Sequence, residues 1–266
     1  MPGVSQALID FANHYRSAPS PGIEVIETDR YRIVFEPDWP IPGPNSVSFI
    51  RCAAEQADEL IAEVRALAAA RRLPIMWIID PETEPAEFAD HLQAHGISKS
   101  STSAEAAVMV LPADADLSRP AVEGLSMEDG LADSFTFRAA QAASDEAFGS
   151  GGPSISAALL EERRRNLLAA GDVHVLLATV HGEPAGSSRV KLSAPDGAAL
   201  MGAGVRPKFR GRGVYRAMVA ERLALARDSG AAGLFVWGGP MSEPILSKLG
   251  FVKVGWRRFY PDLGTA

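Results

Sequence analysis

Residues 202–216 read GAGVRPKFRGRGVYR. Arg206, Lys208, Arg210, Arg212 and Arg216 crowd around Gly211 and Gly213, in a chain of formal net charge -7. An apolar run precedes this corner and an amphipathic run follows it, so the pattern predicts a strand, a glycine-rich turn and a helix. The first turn of a helix carries backbone N–H groups without intrahelical partners, and the helix dipole adds partial positive charge there. Glycine lets the main chain approach a ligand closely and adopt positive φ. Together these features describe a phosphate cradle with arginines at its rim for charge-assisted contacts. Other phosphate motifs fit poorly. A G-x-G-x-x-G fingerprint begun at Gly202 and Gly204 meets Pro207 in its third glycine position, and no Gly-Lys-Ser/Thr is present.

The totals narrow the partners. An acidic chain lacks the broad cationic surface that bulk nucleic-acid binding needs, so a local basic cluster points to a small anionic ligand. No apolar run approaches the roughly 18 residues of a membrane span. The opening MPGVSQALIDFANHYR has no basic start followed by an apolar stretch, so a secretion signal is not expected and a cytoplasmic location is. The single Cys52 reads as a small buried apolar residue. His91 and His95 stand four apart, the spacing of a metal pair, but the intervening LQA lacks the glutamate of H-E-x-x-H, so no metal is expected. Trp77 and Trp237 lie in apolar strands and read as core.

Hydrophobic patterning supplies the elements that position the corner. The first twenty-odd residues, ending in SAPSPG, read as a weakly structured lead. Strands are expected at 31–35, 45–50, 74–79 and 106–111, with helices at 55–72 and 86–94. The polar, proline-bounded PADADLSRP marks a boundary, giving domains 1–115 and 116–266. Beyond it, helices are expected at 131–148 and 155–170, broken by GSGGPS. Strands follow at 173–180, 185–192 and 198–205 as an antiparallel meander, then a helix at 214–228. A strand at 234–237, a short helix at 242–248 stopped by Gly250, and a strand at 251–259 close the chain. A weak repeat sets IMWIID…HLQAHGI beside LFVWGGP…ILSKLGF, although the first half has no counterpart of RGRG.

The stretch VRPKFRGRGVYRAMVAERLALARDSGA resembles motif A of the Gcn5-related N-acetyltransferases, the GNAT superfamily, whose core is R/Q-x-x-G-x-G/A. Arg210, Gly213 and Val214 match, and Tyr215 departs from the final Gly/Ala. PILSKLGF, residues 244–251, resembles motif B. The resemblance covers about residues 120–266. It implies a mixed α/β (α+β) fold, a GNAT-like twisted mixed sheet flanked by helices, with a degenerate GNAT-like N-terminal half making two tandem domains.

The resemblance further implies acetyl-coenzyme A, or another acyl-coenzyme A, as co-substrate, with transfer to a primary amine by direct attack in a ternary complex. Backbone N–H groups from Arg210 through Gly211, Arg212, Gly213 and Val214 to Tyr215 would hold the diphosphate. Ala203, Gly204 and Val205 would pair with the pantetheine arm as an added strand does. Gly202 and Gly204 suit the bulge that splays this strand in the family. Many members carry a tyrosine and an asparagine where this chain has Leu246 and Gly239. Ser242 is then the nearest candidate acid, although it also suits a helix N-cap, with Tyr215 and Tyr260 weaker; Glu146 or Glu243 is the candidate base. The acceptor class is a small-molecule or peptide amine, with no nucleic acid and no membrane; a homodimer is compatible with the pattern. The missing tyrosine leaves open a second class, a protein that binds or senses acyl-coenzyme A without turnover. A third, an assembly module with a lost slot, fits the preserved corner less well.

Overall fold

The computed structural model describes residues 3–16, 19, 21–101, 104–149 and 155–264. The chain divides into two compact units. The first takes Met1–Tyr15, Met109–Val236 and Ile245–Val254; the second takes Arg16–Val108, Trp237–Pro244 and Gly255–Ala266.

The chain opens with α1 (Gln6–His14), where a weakly structured lead was expected. Ser5 caps it by accepting from the Leu8 N–H at 3.2 Å, and Leu8 and Ala12 are buried. The helical spacing of Leu8, Ile9, Phe11 and Ala12 is the apolar stripe that holds it.

The second unit begins with β1 (Glu24–Glu27), a half-exposed strand that its patterning did not signal. After it come β2 (Arg32–Phe35), β3 (Ser46–Ser48), α2 (Ala57–Arg71), β4 (Ile75–Ile79) and α3 (Phe88–Ala94). Pairing is antiparallel for β1–β2 and β2–β3 and parallel for β3–β4. Ile33, Phe35, Leu60, Ile61, Val64, Trp77, Phe88 and Leu92 form its core, so Trp77 is buried as its strand pattern predicts. The corner after β3 is closed by its own chain. The Arg51 N–H donates to Arg30 O at 2.7 Å and the Cys52 N–H to Glu84 O at 3.1 Å, while the Ala53 N–H donates to Gln56 Oε1 at 3.2 Å. Cys52 is half-buried against this core, and burial pushes its thiol up.

The chain continues through β5 (Glu105–Pro112) into β6 (Leu125–Asp129), α4 (Ser134–Phe148), α5 (Ala157–Ala170), β7 (Val173–Val180), β8 (Glu183–Ser193), β9 (Gly197–Val205), α6 (Val214–Asp228) and β10 (Gly233–Gly238). Then come α7 (Glu243–Lys248) and β11 (Val252–Asp262), whose C-terminal residues pair antiparallel with β4. In the first unit β6–β7–β8–β9 form the expected antiparallel meander, extended at its edge by β6, and β10 joins β9 in parallel. Both units are therefore mixed α/β. Asp133 and Ser156 cap α4 and α5, accepting from Thr136 N–H at 2.8 Å and Leu159 N–H at 3.2 Å. The helix break expected at GSGGPS begins at Gly149, which ends α4 in the left-handed region; residues 150–154 lie outside the described residues.

Two glycines show which helix covers which sheet face. A Cβ on Gly204 would meet Ala147 of α4, whereas one on Gly186 would approach Met218 of α6. Gly186 pairs with Val205, next to Gly204, so the alternation of strand side chains puts α4 and α6 on opposite faces.

Candidate functional site

The end of β9 is shaped by one extra residue. Ser188 pairs with Ala203 and Arg189 with Met201, leaving Gly202 unopposed, a bulge at which φ is 36°. A bulge bends its strand and sharpens the local twist. β10 pairs with β9 at Leu234↔Ala198 and Phe235↔Ala199, and within this unit no later pair joins the two strands, although β9 runs on to Val205. Ala203, Gly204 and Val205 therefore sit on a strand bonded to β8 on one side, beyond its last pair with β10 within this unit. Gly204 is needed for close approach, because an added Cβ would lie 2.5 Å from Ala147 Cβ.

Beyond Val205, a short helical turn at Pro207–Phe209 leads into the glycine corner. Gly211 and Gly213 adopt φ of 75° and 87°, and Gly213 is the N-cap of α6. The first helical bond runs from the Ala217 N–H to Gly213 O. Among the described residues, the N–H groups of Gly211, Arg212, Gly213, Val214, Tyr215 and Arg216 have no acceptor. The Arg210 N–H is already given to Pro207 O at 3.2 Å, so the free run begins one residue later than the motif suggests. A helix start with several open donors and its positive dipole end has the chemistry to bind an anion.

The five cations divide into two groups. Arg206 Nε donates to Glu146 at 2.7 Å and its NH1 to Pro184 O at 2.8 Å; Lys208 is ion-paired with Glu183. Arg210 stays exposed but is committed to the main chain, its Nε donating to Val205 O at 3.0 Å and its NH2 to Ala147 O at 2.7 Å. Arg210 thus straps the C-terminal end of α4 to the corner. Arg212 and Arg216 are exposed and, among the described residues, have no carboxylate partner; Arg212 only stacks on Phe209 at 5.5 Å. These two are the charges available to a ligand. Tyr215, the departure from the motif, packs against the core formed by Ala178, Val180, Val205, Phe209 and Met218, and burial pushes its hydroxyl up.

Glu146 lies in the first unit, half-exposed and held by Arg206. Ser242 lies in the second unit, where its hydroxyl donates to Gly239 O at 3.2 Å and steadies the turn before α7. Tyr260 is buried opposite Trp77 on β4, and Leu246 is fully buried. Trp237 departs from its expected core position: it is 36% exposed, and Arg257 sits 5.7 Å from its ring. His91 and His95 both bond Asp58 Oδ1, at 2.9 and 3.2 Å, tying α3 to α2. Among the described residues no group of three or more His, Cys, Asp or Glu side chains is placed to hold a metal.

Residues 138–244 match the model of the Acetyltransferase (GNAT) family. This segment belongs to the GNAT family. The strand-bulge-corner-helix unit just described falls inside it. Solved structures with similar folds cover most of the chain. A GCN5-related N-acetyltransferase from Kribbella flavida is 15% identical, covers 91% of this chain and 90% of its own, and has a TM-score of 0.66. A functionally unknown protein from Staphylococcus epidermidis is 14% identical over 97% and 99% of the two chains, with a TM-score of 0.70. A tandem GNAT protein from the clavulanic acid biosynthesis pathway is 17% identical over 95% and 86%, with a TM-score of 0.62. At such identities the likeness is one of fold, and it reaches beyond the GNAT segment into the N-terminal half. A search of curated proteins found no match.

The main-chain bonds of the Arg210 side chain were missed from sequence because a basic residue beside a glycine corner reads as a ligand contact. Arg222 had a signal that passed unread: it falls on the apolar stripe of α6, four residues after Met218 and eight after Val214, and is 1% exposed.

Proposed function

We propose that the protein is an acyl-coenzyme A-dependent N-acyltransferase that moves an acetyl or larger acyl group from the thioester to a primary amine. The observation that carries this reading is the run of unpartnered N–H groups from Gly211 to Arg216 at the start of α6, beside a bulged strand. The N–H groups and the guanidiniums of Arg212 and Arg216 suit a diphosphate in charge, donor number and reach. The side of β9 away from β8 at Ala203, Gly204 and Val205 offers main-chain partners to the amide-bearing pantetheine arm. A β9 N–H near Val205 would donate to the thioester oxygen as negative charge develops there.

Transfer forms a C–N bond and breaks a C–S bond. The incoming ammonium, with a pKa of about 10.4 for a lysine-like amine, must first lose a proton. Glu146, at the end of α4, is the candidate group for that proton. The released thiolate needs little acid assistance, since a thiol pKa of about 8.5 makes it a fair leaving group. A fully buried Leu246, where the family resemblance implies a tyrosine, favours a second reading, in which the domain binds the thioester without turning it over.

One experiment separates the two. Isothermal titration with coenzyme A is followed by a thiol-release assay with acetyl-coenzyme A across a panel of primary amines. Binding with amine-dependent thiol release supports the enzyme, and binding with no release above the hydrolytic background supports the sensor. No binding overturns both.

A further inference from the structure

α6 buries an arginine that the donor site does not use. Arg222 is 1% exposed, with its Nε donating to Met218 O at 3.0 Å on its own helix and its NH1 reaching Arg189 O at 3.4 Å on β8. Its remaining amino group, NH2, is buried without a partner, as is the hydroxyl of Ser188, which is 0% exposed. Ser188 and the Arg189 carbonyl that Arg222 reaches are neighbours in the ladder. The register of β8 against β9 shifts between Ser188 and Arg189, where Gly202 is left unopposed. A fully buried guanidinium is costly unless fully bonded, so its retention here asks for a role.

Another neighbour of Arg222 is Tyr215, seven residues earlier on α6, whose phenol lies beside the guanidinium and interacts with its charge. Burial pulls Arg222 down to about 10, still well above neutral pH, so the side chain stays charged. A tyrosine replaces the small residue of the family motif at the position whose side chain must enter the core. It stands between the glycine corner and the arginine that touches the bulge.

We propose that Arg222, steadied by Tyr215, is a positioning residue that holds the β8–β9 bulge and so keeps the end of β9 aligned for the pantetheine arm. Bulges disrupt the ladder locally, and a charged donor from the layer beneath compensates one carbonyl at the shift. The inference rests on the donor reading above.

The test compares Arg222→Met with wild type, using two probes. Coenzyme A carries the arm; adenosine 3′-phosphate 5′-diphosphate keeps a diphosphate and lacks it. Arg222→Met is expected to weaken coenzyme A binding about tenfold and leave the nucleotide within about twofold. Its Tm should hold or rise, because an apolar isostere relieves a buried charge. Unchanged coenzyme A affinity, or equal weakening of both probes, overturns the proposal. Should Arg222→Met not fold, Arg222→Lys and Tyr215→Phe carry the same comparison. A second readout needs no ligand: amide exchange at Met201–Val205 and Ser187–Arg189 in the free protein should rise about tenfold in Arg222→Met with no rise elsewhere. That readout stays decisive if wild type binds neither probe, in which case the donor reading has failed separately.

Discussion

The division of the basic corner into free and committed cations gives a quantitative test. Arg212→Gln and Arg216→Gln remove exposed charges with no carboxylate partner. Such surface changes move stability by no more than about 0.5 kcal/mol, so Tm should stay within about 2 °C. Each charge-assisted phosphate contact contributes about 1.5 kcal/mol at an exposed site, close to tenfold in Kd. Each single variant should therefore weaken coenzyme A about tenfold and the double variant about a hundredfold, with a shallower salt dependence. Arg210→Gln should behave oppositely. It breaks the bonds to Val205 O at 3.0 Å and Ala147 O at 2.7 Å, costing about 2 kcal/mol and lowering Tm by about 4–8 °C. Titration calorimetry at low and high salt, paired with thermal melts, reads all three. If the double variant binds as wild type does, or Arg210→Gln loses affinity without losing Tm, the assignment of free and committed charges is wrong.

Other outcomes follow from single contacts. Gly204→Val should displace the end of α4, since even a Cβ would sit 2.5 Å from Ala147 Cβ; a loss of about 1–3 kcal/mol in urea unfolding and a sharp fall in turnover are expected. Ser242→Ala should keep more than about a tenth of wild-type turnover, because its hydroxyl serves the Gly239 turn; a hundredfold fall at unchanged Tm would make it catalytic. Calorimetry should return one coenzyme A per chain, because the corner after β3 has given its Arg51 and Cys52 N–H groups to Arg30 O and Glu84 O; a second site of similar affinity would contradict that. Burial and the hydrogen bond to Glu63 push the Tyr31 hydroxyl up to about 12. The folded value lies above the unfolded one, so this contribution is complete below about pH 10 and lost as pH rises towards 12. Wild type should lose its stability advantage over Tyr31→Phe across that window in urea melts, and a constant difference would refute the shift.

Patterning carried much of the second half. The bounds of β7 and α6 coincide with their expected ranges because β7 is a short apolar run, α6 repeats at helical spacing, and both end at turn residues. Glycine-rich spacing at 202–213 identified the helix start, whereas the bulge came from the family resemblance, which Gly202 and Gly204 suit. Short elements with one exposed face were harder: β1 and β6 bury little, so their composition resembles loop. α1 was legible in its stripe and cap but was discounted beside SAPSPG. Side-chain direction was the main loss. Whether Arg210 is free for a ligand or bonded to the main chain, and whether Tyr215 fills the corner or the core, depends on which carbonyls and which apolar residues lie nearby in space, and spacing does not encode that.

The bulged end of β9 has a consequence for the protein when it is empty. Main-chain groups left without a neighbour invite any extended polypeptide to copy them, the usual start of aggregation. The segment Leu200–Gly204 is a poor template: it is kinked at Gly202, contains two glycines and has no β-branched residue. The irregularity at Gly202 therefore also guards this end of the strand against self-association.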